Sequence, residues 1–185
     1  MIKWLLRRRL AVFERAWKYD ASYMHEVLDA DPSALMAFSK VASLGRYHKD
    51  APLAAYHAVR IVGTMAEDCG PCTQQLTIDM AVRAGVDPAV LRAVVSREFS
   101  VMPADVSLAV RFAEASLRHA PEADGLRKEV VRRWGKRALI SLAFAITGAR
   151  IFPTVKYAMG HGRACTRVTV AGESRPVLRE LTRAA

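Results

Sequence analysis

The sequence predicts an all-α protein, a helical bundle in a single domain. At 185 residues, the chain is long enough to bury a sizeable core and short enough that one domain is the default expectation. Its 52% hydrophobic and 25% charged residues are typical of a folded globular chain. Ala, Leu, Arg and Met recur at spacings of three and four residues, whereas Val, Ile and Thr form no alternating run before the last twenty residues.

Prolines, glycines and capping residues predict where the helices begin and end. The Asp-Pro pairs at 31–32 and 87–88 are two helix starts, with Asp as the cap and Pro in the first turn. Gly85 should stop the preceding helix, and Pro153 should end or kink the last one. The predicted elements in order are helices at about 3–19, 20–29, 31–44, 51–67, within 69–85, 87–98, 103–120 and 126–159, and one strand at 166–170.

The sequence divides into three parts, and its cysteines and apolar runs predict the compartment of the protein. Residues 1–21 form an N-terminal amphipathic helix, 22–162 the helical domain and 163–185 a C-terminal tail. Three cysteines, two of them in one C-x-x-C, do not match the even-numbered framework of a small secreted scaffold. The basic N-terminus lacks the apolar run of a secretory signal, and the longest apolar run, 138–149, is too short to span a membrane. We therefore expect a cytoplasmic protein without a transmembrane segment.

The stretch EDCGPCTQQL, residues 67–76, contains a C-x-x-C motif, which is a candidate redox site. Cys69 and Cys72 are separated by Gly-Pro, and Pro71 favours a helix start at this point. Two cysteines so placed can form a reversible disulfide, and the helix amides favour a thiolate, which suits thiol–disulfide exchange or peroxide reduction. The adjacent Glu67 and Asp68 oppose a thiolate if they point toward it. Buried apolar cysteines are one alternative interpretation. Zinc binding is another, although no second C-x-x-C completes a tetrahedral site.

The surroundings of this motif differ from those of a thioredoxin, because the residues before Cys69 have a helical and not an alternating pattern. The stretch HAVRIVGTMAEDCGPCTQQL, His57 to Leu76, resembles instead the AhpD-like alkylhydroperoxidase and carboxymuconolactone decarboxylase family. Its redox members carry E-x11-C-x2-C-x3-H, and the similarity extends over roughly residues 22–160. In this chain His57 stands at the glutamate position and Leu76 at the histidine position. The resemblance implies an AhpD-like helical bundle that forms a homo-oligomer, commonly a trimer or hexamer.

The resemblance also implies a set of catalytic residues and partners. Cys69 and Cys72 are the redox pair, and His57 is the candidate general base, since a neutral imidazole can accept a thiol proton. Glu67 is a weaker candidate as a substitute base, and Gln75 as a hydrogen-bond donor. The substrate is a hydroperoxide or a disulfide, and the pair is regenerated by an external dithiol protein reductant, with no resident cofactor and no metal.

The remaining histidines and the third cysteine have no partner in this motif. We interpret these histidines as structural or solvent-facing and the cysteine as a free or buried thiol: His25, His48, His119, His161 and Cys165.

Three other functions remain open at this point. The cysteine pair could mainly exchange disulfides with protein partners. The net charge of +10 and the basic runs at 7–9 and 127–137 also fit a non-catalytic helical oligomer that binds nucleic acid or an acidic partner. Because such runs are usually solvated surfaces and no nucleic-acid-binding motif accompanies them, nucleic acid is not the expected partner. A decarboxylase of the carboxymuconolactone type is less favoured, because both cysteines of the redox branch are present.

Overall fold

Helices make up most of the computed structural model, which describes residues 2–67, 71–162 and 167–176. The predicted all-α class is confirmed, with one small β-hairpin added to it. The elements in chain order are α1 (Ile2–Trp17), α2 (Ser22–Ala30), α3 (Pro32–Val41), the 3-10 helix η1 (Leu44–Arg46), α4 (Leu53–Ala66), α5 (Pro71–Arg83), α6 (Pro88–Ser96), α7 (Ala104–Leu117), α8 (Ala123–Ala158), β1 (Arg167–Val170) and β2 (Glu173–Pro176).

Local chemistry sets several helix ends where the sequence predicts them. The Asp31 carboxylate accepts a hydrogen bond from the Ser33 amide at 2.7 Å before α3. The Asp87 carboxylate accepts one from the Ala89 amide at 2.8 Å before α6. Each bond satisfies an amide that the first helical turn leaves unpaired. Gly85, with a φ of +88°, follows the end of α5, as a residue that tolerates left-handed backbone should.

The last long helix does not end at Pro153, where the sequence allows an end. α8 continues through this proline to Ala158. A proline removes one helical hydrogen bond, but Pro153 is itself buried, and the next turn packs Val155 and Met159 against a buried cluster of aromatic residues. This packing stabilises α8 on the C-terminal side of Pro153. The break in α8 lies instead at Gly135, whose φ of +84° and ψ of 173° are open to glycine and strained for other residues.

α4 is the central helix of the bundle. Of its 14 residues, ten are buried, and α4 packs against α5, α6, α7 and α8. The crossing of α4 and α8 is tightest at Gly63, where an added Cβ would lie 2.9 Å from the carbonyl oxygen of Ile146. A glycine at 63 therefore permits a helix approach that a larger residue would push apart.

The place of α8 in the core accounts for part of its apolar composition. An 18-residue window of this helix has a mean hydropathy of 1.6, which by length and composition would suffice to cross a membrane. Yet 44% of that window is buried inside the bundle, and Val130, Ala138, Leu142 and Ala145 are fully buried. Packing against α4 and α7 accounts for these residues.

The hairpin near the C-terminus is predicted only in part, and it lies within the segment expected to be a tail. β1 matches the expected strand. β2 pairs with it antiparallel, although its sequence, ESRP, is polar and ends in proline. The connecting Ala171 and Gly172 both have positive φ, as tight hairpin turns require. Gln75 of α5 donates to the Thr169 carbonyl and accepts from the Thr169 amide, both at 2.8 Å, so this amide side chain docks the hairpin on α5.

Candidate functional site

The C-x-x-C motif leads into α5. This helix begins at Pro71, so Cys72 occupies its first turn. Cys69 and Cys165 lie outside the described residues, and of Cys72 the backbone alone is described. The first turn of a helix has amide groups without helical partners and a partial positive charge, which together stabilise a nearby thiolate. The start of α5 is thus a suitable position for a reactive cysteine.

Glu67, the candidate substitute base, is tied to α8. Arg150 Nε donates to one of its carboxylate oxygens, and Thr154 Oγ1 donates to the other at 3.0 Å. The Glu67 side chain is only 18% exposed. Because both oxygens already accept hydrogen bonds, this carboxylate fixes the end of α4 against α8. A role for Glu67 as base stays a prediction.

His57, the candidate general base, is buried in α4 with 6% of its surface exposed. Its ring packs edge to face on Tyr56 with centroids 5.4 Å apart, and its Nδ1 has no hydrogen-bond partner among the described residues. Burial, with smaller effects from the charges of Arg60 and His48, lowers the pKa of His57 from 6.5 to about 4. The imidazole is therefore neutral at pH 7, so it can accept a proton but supplies no positive charge to a thiolate.

The register of α4 and α5 separates His57 from the start of α5. The hydroxyls of Thr64 and Thr77 lie 3.1 Å apart, and Arg60 Nη2 lies 3.5 Å from Met80 Sδ, so the two helices run antiparallel. His57 precedes Thr64 by seven residues, which is about 10 Å along the axis and away from the first turn of α5. The hydroxyls of Thr64 and Thr77 lie between the two positions. A role for His57 as base stays a prediction.

Leu76, which stands where the resembled family has histidine, lines a cavity of about 570 Å³. Thr73, Thr77 and Met80 line the same side of it, so one face of α5 forms a wall. The volume falls within the range of about 300 to 1,000 Å³ that is typical of small-molecule sites. The helix whose first turn contains Cys72 therefore also borders a space large enough for a ligand.

Sequence reasoning missed two polar residues near this wall. Gln74 is 1% exposed, and both its amide oxygen and its amide nitrogen lack hydrogen-bond partners among the described residues. Gln74 lies on the same face of α5 as the buried Ile78 and Ala81, and this helical spacing could have predicted its burial. Arg60 is the second of these residues. Its position as the lone Lys or Arg in the largely apolar α4 could have drawn attention to it.

Replacement of Gln74 with methionine should raise the free energy of unfolding by about 1 to 2 kcal/mol, because it removes a buried amide that no described residue hydrogen-bonds and keeps the volume similar. Urea denaturation at pH 7 measures the change. Gln75→Met is the matched control and should lower stability, since Gln75 bonds Thr169 and, at 2.9 Å, Asp79. A loss of stability in Gln74→Met as large as that of the control would contradict the assignment of an unsatisfied amide.

The basic segment of α8, proposed as an alternative interface, is largely paired within the chain. Arg132 and Arg133 both bond Glu129, at 2.9 and 2.6 Å, and Arg137 bonds Asp50 at 2.6 Å. The hydrogen bonds from Arg132 and then Arg133 lower the pKa of Glu129 to about 2. These guanidinium groups are thus already engaged with carboxylates.

α5 brings together the cysteine position in its first turn and the apolar cavity beside Leu76, whereas the neutral buried His57 lies on α4, along the axis from that turn. Thr64 and Thr77 link the two helices between them. No family model, curated protein or solved structure matches this chain.

Proposed function

We propose that the protein is a thiol-dependent oxidoreductase in which Cys69 and Cys72 form the redox pair. The observation that carries the proposal is the start of α5 at Pro71, which puts the second cysteine of the C-x-x-C in the first turn of a helix. At that position the unpaired helix amides and the helix dipole lower the pKa of a thiol and raise the fraction of reactive thiolate. The scaffold would be an AhpD-like bundle in a cytoplasmic homo-oligomer, a trimer or hexamer.

In the peroxidase reaction, one thiolate of the pair attacks the terminal oxygen of a hydroperoxide. The O–O bond breaks, the alkoxide leaves and takes up a proton as an alcohol, and the cysteine becomes a sulfenic acid. The second cysteine then attacks that sulfur, which releases water and forms the disulfide. An external dithiol protein restores both thiols through a mixed disulfide and is itself oxidised.

The cavity beside Leu76 supports an apolar substituent on the hydroperoxide, because its walls are largely hydrocarbon. His57 is the proposed proton acceptor, and the proton would have to reach it through an intervening group, because it lies about 10 Å along α4 from Thr64, away from the first turn of α5. Proton transfer from a thiol with an ordinary pKa of about 8.5 to an imidazole of pKa about 4 is unfavourable by about 6 kcal/mol. The thiolate therefore depends on the start of α5 more than on this histidine.

Disulfide exchange with protein partners is the second form of the proposed activity. Leu76 favours it, since a leucine transfers no proton where the resembled family has histidine, whereas exchange between a thiolate and a disulfide needs less proton transfer. In that case the partner would supply the disulfide. The Cys69–Cys72 pair would supply the two electrons that reduce it.

Turnover of cumene hydroperoxide by the purified protein, with dithiothreitol as reductant, tests the peroxidase form. We expect one dithiol to be oxidised for each hydroperoxide consumed, and Cys165→Ser to match the unmodified protein. Consumption at the rate of the protein-free reaction would contradict hydroperoxide reduction. If the same preparation still reduced an oxidised dithiol protein, disulfide exchange would be the activity that remains.

A further inference from the structure

The cavity beside α5 is lined by residues of six α-helices and of the 3-10 helix η1, and it is largely apolar. Its apolar walls include Leu10 and Phe13 of α1, Phe38 of α3, Leu76 of α5 and Phe152 of α8. α1 has no buried residue of its own, and it packs across this cavity with the face that contains Leu10 and Phe13. A molecule inside would contact hydrocarbon on most sides.

Arg60 brings a positive charge to this apolar space. It is the one Lys or Arg of α4, and it lines the cavity. Its Nε is buried without a hydrogen-bond partner among the described residues, and its Nη2 reaches only Met80 Sδ at 3.5 Å. Sulfur is a weak acceptor, so this contact does little to satisfy the guanidinium. Its carbon also lies 5.8 Å from the centroid of the Tyr56 ring.

No carboxylate of the described chain neutralises Arg60. Burial lowers its pKa below the usual range, and the opposing influence comes from Tyr56 and from no acidic side chain. A buried charge is costly unless it is paired and hydrogen-bonded. The half-buried Arg97 shows the usual arrangement, because it pairs with the buried Glu114 at 2.8 Å.

The charged residues that line the cavity in the described part of the chain are all cationic. Arg9 and Arg46 also line it, and neither forms an ion pair with a described carboxylate. The described lining residues include these three arginines and no aspartate or glutamate. An anion would therefore meet only attraction, and a guanidinium binds a carboxylate with two parallel hydrogen bonds.

We propose that this cavity binds an apolar carboxylic acid, with the carboxylate on the Arg60 guanidinium and the hydrocarbon part among Phe13, Phe38 and Phe152. Such a ligand supplies a partner for the partly buried Arg60 guanidinium and apolar atoms to fill the space. A neutral hydrocarbon would leave Arg60 unpaired. A small hydrophilic anion would leave the apolar walls empty. The site goes beyond the proposed redox activity and does not depend on it.

Calorimetric titration of the full chain with dodecanoate and with dodecanol at pH 7.4, both below micelle formation, tests the proposal. Dodecanoate should bind at least about tenfold more tightly than dodecanol, because only the acid pairs with Arg60. Arg60→Gln should remove about tenfold of the dodecanoate affinity and leave dodecanol binding unchanged. Arg92→Gln is the matched control: it removes the same charge at a residue outside the cavity lining, paired with Glu173 at 3.5 Å, and should bind both ligands as the unmodified protein does.

Equal affinity for the acid and the alcohol, no binding of the acid, or undiminished acid binding in Arg60→Gln would each overturn the proposal. Arg60→Lys provides a second variant if the glutamine variant does not fold; it should bind dodecanoate more weakly than the unmodified protein, since an ammonium lacks the two-pronged contact. The titrations are run with reduced thiols and without hydroperoxide, so a negative result bears on the cavity and leaves the cysteine chemistry untouched.

Discussion

Cys69→Ser and Cys72→Ser should each lower dithiol-dependent hydroperoxide turnover by about 1,000-fold or more. A serine hydroxyl stays protonated at neutral pH and forms no disulfide, so either change breaks the cycle. Steady-state consumption of cumene hydroperoxide measures the loss. The two variants differ in one respect: after a hydroperoxide pulse without dithiothreitol, the variant that keeps the attacking cysteine should contain a sulfenic acid, which dimedone traps.

Cys165→Ser is the control for this pair, since it removes a thiol outside the motif. Its turnover should match that of the unmodified protein. Full turnover in both Cys69→Ser and Cys72→Ser would contradict a redox pair at these positions, whichever cysteine attacks.

The stability of the protein should fall steeply in mild acid because of His57. The pKa of this histidine is about 4 in the folded protein and 6.5 when unperturbed, since burial disfavours the charged ring. Above pH 6.5 both folded and unfolded chains hold it neutral and no stability is lost. As the pH falls from 6.5 toward 4, the unfolded chain takes up the proton first, so the free energy of unfolding should drop by up to about 3 kcal/mol. Below pH 4 the loss from this group levels off.

His57→Leu isolates this contribution, because it removes the titrating ring and keeps a buried side chain of similar size. Urea denaturation at several values between pH 4 and 7.5 gives the free energy of unfolding for both proteins. The difference between them should shift by about 3 kcal/mol in favour of the leucine variant at the acid end. Parallel pH curves for the two proteins would show that His57 is accessible to protons in the folded state.

The helices and many of their ends could be predicted from the sequence, because local interactions determine them. The caps at Asp31 and Asp87 and the stop at Gly85 each depend on one side chain and its nearest amides. The features that the sequence did not predict depend on contacts between residues far apart in the chain. α8 passes through Pro153 because its next turn packs on a buried aromatic cluster, and β2 forms from a polar sequence because β1 offers it a partner.

The candidate site follows the same division. Pro71 within the C-x-x-C could predict that the motif would lead into a helix, as it does at α5. Spacing could not show that antiparallel packing shifts His57 along the axis from the start of α5, nor that Arg60 would face a cavity without a carboxylate. The positions of His57 and Arg60 depend on how α4 packs against α5. The spacing of residues along the sequence does not determine that packing.

The redox cycle of Cys69 and Cys72 is tested most directly by peptide mapping of the reduced protein after one equivalent of cumene hydroperoxide. Free thiols are alkylated under denaturing conditions before digestion, so each cysteine reports its state. We expect a disulfide that joins Cys69 to Cys72, an alkylated Cys165, and recovery of both motif thiols after dithiothreitol. Alkylated Cys69 and Cys72 after the hydroperoxide pulse would contradict the proposed redox pair.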